Sequence, residues 1–361
     1  MRFPEFTDKW EAGKLEEYIL LVSGQDLSSE QYTDKEDVYP YITGASSLNS
    51  EGIILNRWTH TPTQIVKRGD ILLVCKGSGV GQLTVLSNVD KAHIARQIMG
   101  IRAKNTESQL FIYHYLSRLM TELKKRSTGI IPGIDRKSIL SLHISIPSLQ
   151  EQQKVAELLS LIEQRIITQN KIIEKLQSLI KGIAQHCIKE STSGNTYVKL
   201  GDICQITTGK LDANAQVDNG IYPFFTCAEQ PFKIDSFAFD TEALLISGNG
   251  ANLGYINYYK GKFNAYQRTY VLDLFSENIQ YIKWALKVLL PKRIAIEKSS
   301  SNTPYIVLST LTDLRLPIPC KSKQSFIANL MQSLERKLSN QIAQYDSYNY
   351  LKQYLLRQMF I

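Results

Sequence analysis

The feature that most constrains the fold of this chain is an internal repeat. The stretch IPSLQEQQKVAELLSLIEQR begins at Ile146, and a matching stretch, IPCKSKQSFIANLMQSLERK, begins at Ile318. The same offset aligns the preceding residues, IDRKSILSLHISIP with IVLSTLTDLRLPIP, and places Glu163 on Glu335 further along. Because the register holds over this distance without a gap, the sequence predicts that one folding unit occurs twice.

The length and composition agree with a duplicated globular protein. A chain of 361 residues suits two domains of about 150 residues each. With 43% hydrophobic and 21% charged residues, it resembles neither a disordered nor a disulfide-scaffold protein. No run approaches the ~20 apolar residues of a membrane helix, and MRFPEFTDKW lacks the order of a signal peptide. We therefore expect a cytoplasmic protein without a membrane partner.

Charge and cysteine content bear on the partners. The 42 Lys and Arg residues outnumber the 34 Asp and Glu residues, which gives a net charge of +8 and favours an anionic partner. The cysteines are far apart and form no CxxC motif that could hold a metal, so we expect reduced thiols and no metal site. They are Cys75, Cys187, Cys204, Cys227 and Cys320.

Each repeat ends in a predicted long helix. From Ser148 to about Ile188 apolar residues recur every three or four positions, with one polar interruption, and Ser148 with Glu151 forms a capping-box pattern. A helix of about 40 residues would be ~60 Å long. The second copy has the same pattern, weakened by Lys352. The predicted pairing residues are Leu159, Ile162, Ile166, Gln169, Ile173, Leu176, Leu334, Leu338, Gln341, Tyr345 and Tyr348.

The two apolar seams are expected to cover each other. A domain of about 150 residues has a radius of gyration near ~15 Å and is too small to cover a ~60 Å helix. We therefore predict an antiparallel coiled coil between the two helices. Gln169 and Gln341 interrupt the seams at the same repeat position, so antiparallel pairing would bring their amides face to face, where each can satisfy the other.

The regions before the helices have a mixed character. Short runs such as DILLVCKG, EALLISG and TYVLDLF, bounded by glycine and asparagine, are typical of strands in a partly antiparallel sheet. The predicted fold class is α+β, a tandem duplication of a mixed α/β domain plus a long helix. The predicted boundaries are domain 1 at 1–147, the central helix at 148–190, a linker at 191–195, domain 2 at 196–319 and the C-terminal helix at 320–361.

The sequence carries no catalytic motif that we can identify. GxxxxGK[ST], HExxH and GxSxG are all missing, and the five histidines are scattered. GNGANLG, at 248–254, lacks the spacing of a dinucleotide loop. NTPY is one residue away from the NPPY signature of amino-methyltransferases, but no cofactor glycine motif precedes it. We expect a chain that is not an enzyme.

Taken together, the motifs resemble a known family. RFPEFTDKWEAGKLEEY, the paired VYPY and IYPF runs, RGDILLV, NAYQRTYVL, IPGIDRKSILSLHISIP, EQQKVAELL and YLKQYLLRQMF resemble the specificity (S) subunit of type I restriction-modification systems. The resemblance spans essentially the whole chain, and the order and duplication of the motifs make it specific.

The resemblance implies a non-catalytic subunit with two target-recognition domains. Each domain would read one half of a bipartite site in double-stranded DNA, and the helices would dock two modification (methyltransferase) subunits and set the spacer. The chain itself would hold no cofactor. S-adenosylmethionine, ATP and Mg would be bound by the modification subunits and by restriction subunits that join the complex.

Polar side chains near the predicted glycine turns are the DNA-binding candidates, because polar side chains read base edges while cations contact phosphates. The candidates are Lys76, Ser78, Arg96 and Gln97 in the first domain and Lys210, Asn249, Gln267 and Arg268 in the second. Two alternatives stay open. The glycine turns could serve only to shape the sheet, with Arg268 in an internal salt bridge, and the whole chain could be a coiled-coil scaffold with two protein-binding domains and no DNA role.

Overall fold

The chain folds into two compact units that share its two long helices. The computed structural model describes residues 2–49, 52–104, 107–126, 133–191, 196–297 and 305–360, with side chains beyond 121 in the third range not described. Unit 1 consists of Met1–Lys171 and Ala343–Ile361, and unit 2 of Ile172–Ile342. The predicted linker falls on 191–195, where only Ser191 lies within the described residues.

Unit 1 contains strands β1 to β12 and helices α1 to α3, followed by the first half of the long helix α4 (Leu149–Ser191). The strands are β1 (Glu11–Lys14), β2 (Ile19–Ser23), β3 (Tyr39–Ile42), β4 (Leu48–Asn49), β5 (Gly52–Ile53), β6 (Trp58–Thr59), β7 (Ile65–Lys67), β8 (Ile71–Val74), β9 (Leu83–Val85), β10 (Lys91–Ile94), β11 (Ile98–Ala103) and β12 (His143–Ile146). The helices are α1 (Leu15–Tyr18), α2 (Gln109–Arg126) and α3 (Arg136–Leu140).

Two four-stranded sheets form the centre of unit 1. One has the order β6-β3-β10-β7 and the other β2-β11-β8-β9. All pairings in these sheets are antiparallel except β3 with β10, which is parallel. Strand β8, with the run ILLV, is buried along its whole length because both of its faces pack on apolar side chains.

Unit 2 repeats this order with fewer and longer strands. They are β13 (Thr196–Lys199), β14 (Gln205–Thr208), β15 (Tyr222–Phe225), β16 (Phe232–Ile234), β17 (Phe239–Ser247), β18 (Ile256–Ala265), β19 (Thr269–Asp273) and β20 (Arg315–Ile318), with helices α5 (Ile279–Glu297), α6 (Leu308–Thr312) and α7 (Lys321–Met359). A single six-stranded sheet has the order β14-β19-β17-β18-β15-β16. Here β18 pairs with both β17 and β15 and unites what are two sheets in unit 1.

The long helices pair in an antiparallel manner within each unit. α4 has 43 residues and α7 has 39. In unit 1 Lys352, near the end of α7, binds Glu163 in the first half of α4, with 2.5 Å between Nζ and Oε1. In unit 2 Lys323, near the start of α7, donates to the carbonyl of Glu190 near the end of α4 at 3.1 Å. Both contacts place the start of one helix against the end of the other.

The start of α4 differs from the predicted capping box. The Glu151 N–H does donate to Ser148 Oγ, at 3.5 Å. The Glu151 carboxylate, however, accepts both Arg2 Nε and Nη2, at 2.7 and 2.6 Å, and also the Trp10 indole N–H at 3.3 Å. Because Glu151 is 1% exposed, an arginine with two donors neutralises it better than a single backbone N–H would. The carboxylate thus fixes the N-terminal segment to α4.

Candidate nucleic-acid interface

In unit 1 four turns meet at one edge, where β2, β3, β8 and β10 end. The N–H of Gln25, after β2, donates to the end of β10 at 2.9 Å. The Ala95 N–H donates to the Ile42 carbonyl at 2.9 Å, and the Cys75 N–H donates to the Gln97 carbonyl at 2.8 Å. These backbone bonds hold the turns together, so side chains from separate parts of the sequence share one surface, which we call edge 1.

Edge 1 presents polar side chains to solvent. Gly77 has a φ of +86°, a left-handed value that favours glycine, and this lets the chain turn sharply after β8. A Cβ at Gly44 would lie 2.8 Å from Gln97 Oε1, so the missing side chain leaves room for the amide. The four residues predicted for this domain are all exposed here: Lys76, Ser78, Arg96 and Gln97.

One further residue of edge 1, Asp26, was not predicted. Its Oδ1 accepts the Arg96 N–H at 3.1 Å, and its Oδ2 lies 2.7 Å from Arg96 Nε in an ion pair. On the inner side the Cys75 thiol donates to the Arg96 carbonyl at 3.5 Å. Burial raises the pKa of Cys75, which keeps the thiol protonated and able to donate. The repeat offers no signal for this position, because SGQD after β2 aligns with TGKL after β14 and places Leu211 opposite Asp26.

Unit 2 has an equivalent edge, in which two of the three backbone bonds match those of edge 1. The Gln267 N–H donates to the Leu211 carbonyl, after β14, at 2.9 Å. The Tyr266 N–H donates to the end of β15 at 2.9 Å, and the Gly248 N–H donates to the Arg268 carbonyl at 2.8 Å. The turns after β14, β15, β17 and β18 therefore meet as their counterparts do in unit 1, and we call this surface edge 2.

The predicted residues of unit 2 lie on edge 2, but they are not equally exposed. Asn249 is partly buried, and its Oδ1 lies 3.0 Å from the Cys227 thiol. Asn252 Nδ2 donates to the Cys227 carbonyl at 3.0 Å, so an interaction that was not predicted orders this turn. The exposed members are Lys210, Gln267 and Arg268. No ion pair within the described part of unit 2 engages Arg268, which argues against the alternative of an internal salt bridge.

The two edges share a design but differ in chemistry. Each carries two exposed cations, Lys76 and Arg96 on edge 1 and Lys210 and Arg268 on edge 2. Each also carries side-chain amides, which can donate and accept at base edges, while the cations suit phosphates or guanine. A surface with this combination of groups can bind nucleic acid with sequence preference.

Comparison with known families decides the relationship. The chain matches the type I restriction modification DNA specificity domain twice, over residues 7–178 and 192–345. It belongs to this family. The two matches correspond to the two repeats, and the resemblance found in the sequence motifs is confirmed.

Curated members of the specificity family are similar to different extents. The EcoDI specificity subunit of Escherichia coli is 44% identical over 137 residues, which cover 38% of this chain and 30% of that protein. The MjaVIII specificity subunit of Methanocaldococcus jannaschii is 24% identical over 387 residues, which cover 93% of this chain and 87% of the relative. The strong similarity is therefore local, while the weaker one extends along nearly the whole chain.

Solved structures of specificity subunits share the fold. A type I restriction-modification system S subunit from M. genitalium aligns with a TM-score of 0.69 at 19% identity, covering 100% of this chain and 99% of that chain. A chain from a study of complex assembly and conformational transition of the type I R-M system aligns with a TM-score of 0.61 at 17% identity. The predicted α+β tandem fold with long paired helices is confirmed.

The predicted pairing residues of this specificity subunit lie along the inner faces of the long helices. In unit 1 Leu159 and Ile162 are buried in the same core as Leu355 and Met359 of α7. In unit 2 Leu176 is buried in the core against which Leu334 and Leu338 of α7 pack. The remaining predicted residues comprise the buried Gln169 and Ile173 and the partly buried Ile166, Gln341, Tyr345 and Tyr348. Gln169 belongs to unit 1 and Gln341 to unit 2, so the pairing of the two amides stays a prediction.

Within the described residues, no three His, Cys, Asp or Glu side chains come together as a metal site. The helices of that same part of the chain include none with the length and apolar character needed to cross a bilayer. The five cysteines are free thiols.

Proposed function

We propose that this chain selects the DNA target of a type I restriction-modification complex, with each unit reading one half of a bipartite site. The observation that carries the proposal is the pair of edges. Four turns meet at each edge, and two backbone bonds match between the units, yet the side chains differ. Membership of the specificity family supports this role over that of a protein-binding scaffold.

The chain would work as a recognition subunit without its own catalytic group. Two modification subunits would dock on the paired long helices and supply S-adenosylmethionine chemistry, and restriction subunits would supply ATP- and Mg-dependent cleavage. The helix pairing would set the spacer between the half-sites. Such a complex acts on the chromosome and on entering DNA, which puts it in the cytoplasm.

Methylation mapping of the host genome tests the proposal directly. We expect a split, methylated adenine motif that disappears when the gene for this chain is deleted and returns with a plasmid copy. In a second assay, the purified chain should bind duplex DNA with an affinity that falls steeply with salt and becomes sequence-specific when a modification subunit is added. An unchanged methylome after deletion would contradict the proposal.

A further inference from the structure

Arg96 on edge 1 is held by its neighbour in an unusual way. The Arg96 backbone N–H donates to Asp26 Oδ1 at 3.1 Å, and the side-chain Nε forms an ion pair with Oδ2 at 2.7 Å. The two side chains are 69% and 45% exposed, so the pair stands in solvent at the turn. A carboxylate that binds both the backbone and the Nε of one arginine limits the directions in which the guanidinium can point.

This arrangement leaves the terminal nitrogens of Arg96 for a ligand. No hydrogen bond within the described residues engages its Nη1 or Nη2. A guanidinium that presents two parallel N–H groups matches the O6 and N7 acceptors of guanine in the major groove, the commonest base-specific contact of arginine. Because the Asp26 carboxylate forms an ion pair with Nε, it restrains the guanidinium before DNA arrives, which lowers the entropy cost of binding.

A second exposed pair in unit 1 shows the contrast. Arg68 Nε donates to Asp90 Oδ1 at 2.9 Å, with both side chains more than half exposed. Here, however, Arg68 Nη1 donates to the Ser87 carbonyl, so the fork is used inside the protein. Arg68 and Asp90 also lie at the opposite ends of β8 and β10 from edge 1. Their chemistry is the same, but they cannot share the surface that Arg96 presents.

On edge 2 the residue equivalent to Arg96 is held by a backbone carbonyl and not by a carboxylate. The backbone carbonyl of Leu211 accepts the Gln267 N–H at 2.9 Å, as the Asp26 side chain accepts the Arg96 N–H on edge 1. Gln267 thus stands where Arg96 stands, with no carboxylate from Leu211. An amide pairs with adenine by donating and accepting one hydrogen bond each, whereas an arginine fork selects guanine.

We propose that Arg96, oriented by Asp26, reads a guanine in the major groove of the half-site bound by unit 1. Asp26 is then a positioning residue, because it contacts the arginine and not the base. The equivalent position of the other half-site is contacted by Gln267 and so prefers adenine. This inference rests on the proposed function, since it assumes that edge 1 faces DNA.

The test selects bound duplexes from a random library with the full chain and its modification subunit, and compares variants. Arg96→Gln should replace one guanine of a single half-site by adenine or lose the preference there, a change of about 10- to 100-fold. Asp26→Asn should keep binding but reduce that same preference by roughly tenfold, without a change at other positions. The matched control, Asp90→Asn, should leave the selected site unchanged.

The outcomes distinguish an error in the role of Arg96 from an error in the proposed function. The variant Gln267→Arg identifies the half-site that unit 2 reads. The assignment of Arg96 is wrong if the Arg96→Gln variant still selects the original guanine, or if it alters a base in the half-site of unit 2. In either case the recognition role of the chain stands. If Asp26→Asn and Asp90→Asn behave alike, the positioning role of Asp26 is wrong. If the unaltered chain selects no sequence with its partner, the proposed function itself fails, and this inference fails with it.

Discussion

Two glutamates at the same repeat position are neutralised in different ways in the two units. In unit 1 Glu163 of α4 binds Lys352 of α7 at 2.5 Å. In unit 2 Glu335 of α7 binds Lys283 and Lys287 of the neighbouring helix α5, at 2.7 and 3.2 Å. The acid was kept in both repeats, while the source of the cation changed. In unit 1 the partner of this glutamate therefore lies on the opposing long helix, whereas in unit 2 both partners lie on α5.

The lysines that pair with these glutamates have uncharged residues at the equivalent positions of the other repeat. The residue of the first repeat that aligns with Lys352 is Ile180, which is 6% exposed and belongs to the apolar core of unit 2. The residue of unit 1 that is equivalent to Lys283 is Tyr113, whose hydroxyl donates to Glu163 at 3.4 Å. Lys352, which weakens the apolar pattern of the second helix in the sequence, is thus the counter-ion of Glu163. In each unit this partly buried glutamate is paired with a lysine from a neighbouring helix.

The largest difference between the units should come from shortening the last helix. A chain that ends at Tyr345 keeps the α7 segment of unit 2 but removes four buried apolar residues from the core of unit 1. At ~1.5–3 kcal/mol each, their loss amounts to roughly 6 kcal/mol or more. The residues removed from that core are Leu355, Leu356, Met359 and Phe360.

Hydrogen exchange followed by mass spectrometry reports the two units separately. We expect amides of the strands in unit 1 to exchange more than a thousandfold faster in the shortened chain, with little change in unit 2. Equal acceleration in both units would contradict the division of α7 between them.

The next effect concerns the ion pair between Lys352 and Glu163 in unit 1. Lys352→Leu leaves Glu163, which is 21% exposed, without its cation, and we expect a loss of about 2 to 3 kcal/mol in the free energy of unfolding. The matched variant Lys287→Leu should cost less than about 1 kcal/mol, because Lys283 still binds Glu335. Urea unfolding measures both. The double variant Glu163→Gln, Lys352→Leu should recover most of the loss, and additive losses would rule out the pairing as the cause.

Acid should also distinguish the units, through His114 next to this pair. Burial lowers the pKa of His114 to about 4, opposed by Glu163 and assisted by Lys352. The unfolded imidazole titrates near ~6.5, so below that pH the unfolded chain takes up a proton that the folded chain does not. Stability therefore falls as the pH decreases from 6.5 towards 4, by roughly 2 to 3 kcal/mol at pH 4.5.

The corresponding residue in unit 2, Trp284, does not titrate. Urea unfolding at a series of pH values should show this slope for the native chain and a smaller slope for His114→Gln. The expectation would be wrong if both proteins lost stability equally over the range.

Much of the fold was predictable because it depends on periodic patterns. The repeat and the long helices follow from apolar spacing, and glycine turns mark where strands end. The number of sheets could not be predicted from these patterns, because it depends on whether one strand is continuous. In unit 2 β18 runs for ten residues and joins both halves of the sheet, whereas in unit 1 the turn before β10 separates it from β9.

Polar partners from distant parts of the sequence were the least predictable. Asp26 lies 70 residues from Arg96, and Lys352 lies 189 residues from Glu163. Neither pair belongs to a periodic pattern, so only the fold brings the partners together. The DNA-binding role of the eight edge residues stays a prediction that the selection experiment can test.

The smallest difference is expected where the two units use identical bonds. Gln152 and Gln324, both 1% exposed, occupy the same repeat position at the start of α4 and α7. Each accepts a backbone N–H at the start of the neighbouring helix, at 2.9 and 3.0 Å. Each also donates to a glutamate carboxylate, at 2.7 and 2.6 Å, and to a proline carbonyl, at 3.0 and 2.9 Å.

Replacement of either glutamine by Met keeps the side-chain volume but leaves its three hydrogen-bond partners unsatisfied, at a cost of about 1 to 3 kcal/mol. Since the bonds match, Gln152→Met and Gln324→Met should lower the free energy of unfolding equally, to within about 0.5 kcal/mol for independent sites. Hydrogen exchange should place the first loss in unit 1 and the second in unit 2. A clear difference between the two losses in free energy would mean that the contact between domain and long helix has diverged between the repeats, as the partners of the two glutamates have.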